Sequence, residues 1–295
     1  MSGHALLEQL QMAGMFVREL TSRTQEPRGP TPSDTLGAQR ILAAMEDGGR
    51  VDGRTAAGYL YHSARISRTI GGCATCVDLG CGTGVQLLQV AMVNPGIQFV
   101  GVDRCPALLE LGAENMRQFG LSNVEWVCDD ITSPTTLGAR AFDAAISTMT
   151  LHDLASVAEM DACLSVMQRM TRANRAIYIE DFARLRFRRS MEFFIGMNAP
   201  AVTDEFSHLY RASLGAAFTL EELREASVAL TGTRLYSTFL VPFLVVIKTP
   251  DRVAPPESLA RLRALRADLS TTQRKDLDDL QRFFALGGLR GDPFE

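Results

Sequence analysis

Three alternate glycines, Gly80, Gly82 and Gly84, follow a short apolar run that contains Asp78, and the next apolar run ends in Gly101-Val102-Asp103. Glycine lets a chain turn sharply from strand to helix and lets backbone N–H groups approach a ligand where a Cβ would collide. An acidic side chain at the tip of the second strand accepts both hydroxyls of a ribose, which is the chemistry expected of Asp103, with Arg104 beside it. After the third run come Asp129, Asp130 and Ile131. Either acid can accept from an adenine amino group while Ile131 packs on the ring; the competing role for each is a turn or helix cap. The set describes a nucleoside site with a charged tail.

The tail is the discriminating part. A dinucleotide fingerprint wants a small residue three positions after its second glycine, and here that position is Val85, with the third glycine one residue early at Gly84. An amino-acid tail, its ammonium received by Asp78 or the Gly80 carbonyl, fits better than a pyrophosphate. Asp103 would serve either cofactor, so an NAD(P)-dependent oxidoreductase stays as the alternative. A cofactor-holding module without catalysis is another.

Other residues have the means for proton transfer or substrate recognition. Thr150-Leu-His152-Asp153 follows the fourth apolar run, which ends near Ser147, a further cofactor contact. His152 is a candidate general base, with Asp153 or another carboxylate orienting it; its bland role is to start the next helix. Tyr59, Tyr61 and His62 form a second cluster on a predicted helix, where Tyr59 and His62 share a face. Tyr61 and His62 are read as catalytic candidates and Tyr59 as a substrate contact. Glu180 and Asp181 end the fifth run and suit a cationic acceptor, whereas Arg184, first of an arginine-rich stretch, suits a carboxylate.

At these residues the chain resembles class I S-adenosylmethionine-dependent methyltransferases. Val77-Asp-Leu-Gly-Cys-Gly-Thr-Gly84 is similar to that family's first motif, Gly101-Val-Asp103 to its ribose-binding acid, Cys128-Asp-Asp-Ile131 to its adenine-contacting element and Phe142-Asp-Ala-Ala-Ile-Ser147 to its fourth strand. The resemblance covers about residues 70 to 248. It implies S-adenosylmethionine as methyl donor, S-adenosylhomocysteine as product, and a helix before the first strand lying over the cofactor. The fourth strand ends in Ser147-Thr-Met-Thr150 and lacks the Asn/Asp-Pro-Pro-Tyr/Phe pattern of members acting on planar amines, which argues against nucleobase or glutamine acceptors. Thr171-Arg-Ala-Asn174 stands where many small-molecule members have Pro-Gly-Gly. The acidic cluster of the metal-dependent catechol-type enzymes is missing, so no metal is expected.

The elements that must position these groups follow from periodicity. Runs at 75–79, 97–102, 123–127, 142–147 and 175–180 alternate with helical stretches, the rhythm of a parallel sheet covered on both faces. Runs at 233–239 and 241–248 would close it as a hairpin. The expected fold is α/β, a seven-stranded, mostly parallel Rossmann-like sheet. Ahead of it, residues 1–70 read as a helical cap, with helices over 4–20, from Ser33 or Asp34 to Met45, and from Arg54 to about Ile70. The core spans 71–249, with 182–218 as a substrate-covering insertion and a capping box at Thr219-Leu-Glu-Glu222 starting a helix to about Leu230. Two amphipathic stretches, 257–268 and 271–286, form a tail over 250–295. Its leucines and phenylalanines pack on their own domain or, with the N-terminal helices, on a second copy in a homodimer.

Composition sets the bounds. With 295 residues, 46% hydrophobic, the chain can bury a large core, and its net charge of −4 offers no global positive field for nucleic acid or anionic membrane. A small-molecule acceptor is the expectation. Cys73, Cys76, Cys81, Cys105, Cys128 and Cys163 lie mostly in or beside apolar runs without the spacing of a disulfide framework or a zinc site, which suits a reducing cytoplasm. No signal peptide is indicated at the N-terminus.

Overall fold

The computed structural model describes residues 14–15, 17–22, 25–32, 55–198, 203–239 and 241–295. Seven strands form one sheet: β1 (Thr75–Leu79), β2 (Gln98–Asp103), β3 (Val124–Cys128), β4 (Phe142–Thr148), β5 (Thr171–Phe182), β6 (Arg234–Ser237) and β7 (Leu244–Lys248), in the order β3-β2-β1-β4-β5-β7-β6. The first five are parallel, and β7 runs antiparallel between β5 and β6. The order reverses between β1 and β4, which opens a crevice at their carboxyl ends where ligands bind in open α/β sheets.

Helices cover both faces, and each covering has its own core. On one face lie α1 (Ala56–Thr69), α2 (Val85–Val93), α3 (Pro106–Gln118), α8 (Pro256–Asp268) and α9 (Thr271–Leu286). Leu60, Leu87, Val90, Phe99, Tyr178, Leu262, Leu277 and Phe284 pack there. The opposite face holds α4 (Val157–Met170) and α7 (Leu220–Ser227), with Val77, Val102, Met160, Leu164, Ile177, Ile179 and Leu223 beneath them. Alternate residues of β5 therefore enter different cores, as the period of two along a strand requires. The tail packs on its own domain, for Leu277 and Phe284 are fully buried against α1.

Local chemistry sets the element ends. Pro106 occupies the first turn of α3, where its missing N–H costs nothing. The Thr219–Glu222 capping box forms as the sequence predicts, but α7 stops at Ser227 and tight turns reach Leu230. Ser270 and Gln273 build a second box at α9. The 175–180 strand is longer than its apolar run, spanning 171–182, because β7 supplies partners as far as Phe182 opposite Leu244. The predicted hairpin is correspondingly shorter, with Thr238 turned back on the Val241 carbonyl at 2.7 Å.

The helix expected from Arg54 to Ile70 is α1, and the 4–20 helix is seen only at its described end, where 17–21 are helical. The helix beginning at Ser33 or Asp34 lies outside the described residues. Within the 182–218 insertion, α5 (Arg188–Asn198) and α6 (Asp204–Ala216) pack on each other, and α6 packs on the turn after β4. Among the described residues, no helix is long and apolar enough to cross a membrane and no cluster of metal-ligating side chains occurs.

Candidate active site

The glycine turn joins β1 to α2 at the crevice. Gly80, Gly82 and Gly84 all have positive φ, at 81°, 54° and 72°, a region costly to residues with a Cβ. The reason two of them are glycine differs from the sequence expectation. A Cβ on Gly80 would lie 2.0 Å from Thr150 Cγ2, and one on Gly84 2.3 Å from Trp126 Cη2. The close approach they permit is to the protein's own side chains. Gly101 and Gly112 line the same slot, so the indole of Trp126 fills the space behind the turn.

Asp103 ties the turn together. Its Oδ2 accepts from Gly82 N and its Oδ1 from Cys105 N, both at 2.9 Å. Each oxygen retains a second lone pair, so two hydroxyls can still be accepted. Asp78 is buried, and its Oδ1 has no hydrogen-bond partner. Burial, then the charge of Asp103, pushes its carboxyl up to about 8. Asp153 likewise has a partnerless buried Oδ1, and burial raises its carboxyl too. Asp78, buried with a second acid and no cation beside it, and Asp103 on the glycine turn fit a ligand with hydroxyls and positive charge, as S-adenosylmethionine has in its ribose, ammonium and sulfonium.

At the third strand the acids do local work. Asp129 accepts from the backbone of Asp130, Thr135 and Thr136; burial opposes its charge, but these bonds outweigh it and hold its carboxyl below the usual range. Asp130 uses only Oδ1, on Thr132, so of the two it has an oxygen left to offer. Ile131 is buried with Val127 and Leu137 in the core beneath α4. Ser147 is turned onto the Leu79 carbonyl at 2.8 Å, and Arg104 is exposed beside Asp103.

His152 lies in a single 3-10 turn, Leu151–Asp153, directly after β4. It is 4% exposed, and its Nδ1 lies 2.7 Å from Asp181 Oδ1. Asp181 Oδ2 accepts the backbone N–H groups of Thr150, Leu151 and His152 at 3.1, 2.6 and 3.3 Å. One carboxylate thus fixes both the turn and the ring. Asp181, read from the sequence as a substrate contact, is the orienting group, and the neighbouring Asp153 is not. Burial alone would lower the imidazole; Asp181, Asp153 and the hydrogen bond to Asp181 outweigh it and raise it to about 9. Just before the turn, Met149 has φ 52°, a strained conformation for a side chain of its size, and donates to the Glu180 carbonyl.

The other cluster faces the opposite core. His62 Nδ1 is 2.6 Å from Tyr178 Oη, and its Nε2 is 2.8 Å from Glu180 Oε1. A neutral imidazole satisfies both, donating at Nε2 and accepting the phenol O–H at Nδ1. With both nitrogens used at 2% exposure, His62 has none free for an acceptor. Tyr61 is fully buried, stacked on Phe284 at 5.5 Å, and its Oη accepts from Arg65 Nε. The structure leaves it outside the site. Tyr59 is half-buried, and burial, then Glu180, pushes its phenol to about 12. Arg184 is turned away from the cradle toward Glu222, 3.8 Å away, with Nε and Nη1 buried and unbonded.

Three residues at the site had no individual role in the sequence expectation, although Phe182 and Tyr210 fall within the 182–218 segment expected to cover the substrate. Phe182 lies 5.5 Å from the His152 ring, and Tyr210 of α6 lies 5.5 Å from Phe182. Arg28, from a Pro/Gly-rich stretch that read as a linker, hydrogen-bonds the carbonyls of His152 and Leu154. Nothing local marked them, because their contacts span more than a hundred residues or join separate elements.

Known proteins bear on this geometry. A local match links the chain to a tRNA (guanine-N(7)-)-methyltransferase of Microcystis aeruginosa (strain NIES-843 / IAM M-2473), 44% identical over 52 residues, 17% of this chain and 24% of that protein. The match thus spans about a quarter of that curated relative. In fold the chain is similar to the plantazolicin methyltransferase BpumL, solved in complex with SAH, at TM-score 0.54 and 14% identity over 91% of this chain and 95% of that one. It is also similar to the mitomycin 7-O-methyltransferase MmcR, at TM-score 0.50 and 18% identity over 71% and 60% of the two chains. A family profile described as a methyltransferase domain matches residues 72–226, which hold the glycine turn, Asp103, His152 and Asp181. As that match takes in more than half of the sequence, the chain belongs to the methyltransferase domain family, and its sheet has the class I fold of these structural neighbours.

Proposed function

We propose that the chain moves the methyl group of S-adenosylmethionine to a phenol-like hydroxyl of a small, flat, largely apolar acceptor, with His152 taking the hydroxyl proton. The observation that carries this reading is the buried His152–Asp181 pair at the end of β4, beside the acid-lined glycine turn. When bound, the donor supplies a sulfonium methyl already activated for in-line displacement. The protein's task is then alignment in a dry site, worth roughly 7–11 kcal/mol.

A base is needed only where the acceptor must lose a proton. Raised to about 9, the imidazole is mostly protonated at neutral pH and can take the hydroxyl proton only once it has lost its own. Transfer to a phenol, with a pKa of about 10, should therefore rise with pH through about 9, and an aliphatic hydroxyl near that of water at about 16 is a poorer match. Asp181 on Nδ1 leaves Nε2 as the nitrogen to receive the proton, and the same carboxylate stabilises the imidazolium that results. Phe182, Tyr210 and Phe206 form a run of rings next to His152, suited to a planar acceptor. Asp103 would hold the ribose, Asp78 and the Gly80 carbonyl the ammonium, and Asp130 the adenine amino group. Tyr59 and Glu180 are left as the acceptor's polar contacts on the α1 side.

The test is methyl transfer from isotope-labelled S-adenosylmethionine to matched panels of phenols, anilines and aliphatic alcohols. Phenols are expected to react, and His152→Ala to slow them by about 10²–10⁴-fold with S-adenosylhomocysteine affinity nearly unchanged. Anilines reacting as well as phenols, or a fully active His152→Ala, would overturn the reading.

A further inference from the structure

The 150–155 turn is held from two sides by opposite charges. Asp181 takes its N–H groups, as described. Its carbonyls are taken by Arg28: Nη2 donates to His152 O at 3.2 Å and Leu154 O at 2.5 Å, and Nη1 to Ala155 O at 2.7 Å. The remaining Nε donates to Ala216 O at the end of α6, and the guanidinium sits 4.1 Å above the Phe218 ring. An anion at the amide end of a helical turn and a cation at its carbonyl end both follow the direction of its dipole. The planar fork reaches four carbonyls spread over two segments, whereas an ammonium has three donors gathered at one atom.

Arg28 is itself anchored. Glu26 N donates to Arg186 O at 3.1 Å, Gln25 Nε2 to Leu185 O at 3.0 Å, and Gly29 N to Gly215 O at 2.8 Å. Buried Glu19 accepts from the backbone of Arg186 and Phe187. The segment therefore links the insertion that covers the site to the turn that holds the imidazole, and it contributes no reacting group.

We propose that Arg28 is a positioning residue for His152, fixing the carbonyl side of the catalytic turn so that the imidazole keeps its place against Asp181. The proposal rests on His152 being the proton acceptor for its functional meaning, though not for its test. The charges facing the imidazole are Asp181 on β5, Asp153 on the turn and Arg28 on the N-terminal segment; burial opposes its protonation, and of these charges Arg28 alone does so too.

The full chain is compared with Arg28→Gln and Arg28→Lys. Two readouts need no acceptor: hydrogen exchange of the 150–155 amides, and NMR titration of the His152 ring, one of only four imidazoles, identified by its loss in His152→Asn. Arg28→Gln should speed exchange there by about tenfold or more and move the His152 midpoint upward, with S-adenosylhomocysteine affinity kept. Arg28→Lys should restore the midpoint, having the charge, but not the exchange protection, lacking the fork. Wild-type exchange and midpoint in Arg28→Gln overturn the proposal. If Arg28→Gln does not fold, wild-type exchange protection in Arg28→Lys overturns it alone. A fully active His152→Ala would sink the base assignment while leaving these two measurements as they stand.

Discussion

Replacing Asp181 by asparagine tests how the turn that carries His152 is built. The amide oxygen can still accept the N–H groups that Asp181 Oδ2 accepts now, but the amide NH2 would meet His152 Nδ1 and the Phe182 N–H, which both point at Oδ1. The imidazole then loses its acceptor and its nearest counter-charge, Asp153 alone being left to oppose burial and Arg28, so its value falls from about 9 back toward its ordinary 6.5. In the wild type the ring is raised to about 9, so it contributes about 3 kcal/mol of stability. Because the folded value lies above the unfolded one, that contribution is complete below pH 6.5 and is lost as pH rises through about 9. Urea unfolding of both proteins at pH 6 and pH 9.5 measures it. Asp78 titrates in the same range in both proteins and cancels in the difference. The stability gap between wild type and Asp181→Asn should narrow by about 3 kcal/mol from the lower to the higher pH. Parallel pH profiles would refute the coupling, and with it the assignment of Asp181 as the group that sets the state of the ring.

Other outcomes are expected from the cradle and the core. Asp103→Ala removes the carboxylate that accepts from Gly82 N and Cys105 N and that is proposed to take both ribose hydroxyls, and should weaken S-adenosylhomocysteine binding by at least about tenfold in calorimetry; unchanged affinity would remove the ribose assignment. Gly84→Ala forces a Cβ to within 2.3 Å of the sole tryptophan at φ 72°, so a loss of about 1–2 kcal/mol or more should come with shifted Trp126 fluorescence. A native spectrum in that variant counts against the slot. Asp78, held at about 8, is largely protonated at pH 7, and a cationic tail beside it should expel close to one proton. Binding enthalpies would then differ between phosphate and Tris buffers, and equal enthalpies would place the ammonium elsewhere. Phe284→Ala should cost about 3–5 kcal/mol, since the ring is fully buried against Tyr61; a loss under about 1 kcal/mol would mean that α9 is not part of the core.

The strands of the parallel half were legible as short, mainly apolar runs, most of them buried over much of their length, although β3 carries exposed Glu125. That pattern is local, and so were the capping box at Thr219 and the ribose-type placement of Asp103. The partner of His152 was not. Asp181 was visible as an acid at a strand tip, but its pairing with a histidine 29 residues earlier follows from β4 and β5 lying side by side. The pairing of His62 with Glu180, 118 positions apart, needs α1 to cross the sheet. Gly80 and Gly84 were recognised correctly as residues that must lack a Cβ, while the atoms that forbid one belong to Thr150 in the turn after β4 and to Trp126 in the middle of β3.

By itself the sequence determined the α/β class, the glycine turn and the acids that ring it, because strand period, left-handed turns and carboxylate placement are properties of a few neighbouring residues. Tertiary structure alone decided which acid orients His152, that Tyr61 belongs to the core, and that Arg28 reaches the turn that carries His152. Those outcomes depend on which elements the sheet order brings within hydrogen-bond range. Along β5 the choice comes down to parity: Glu180 and Asp181 are adjacent in sequence, yet one enters each core, and each meets a different histidine there.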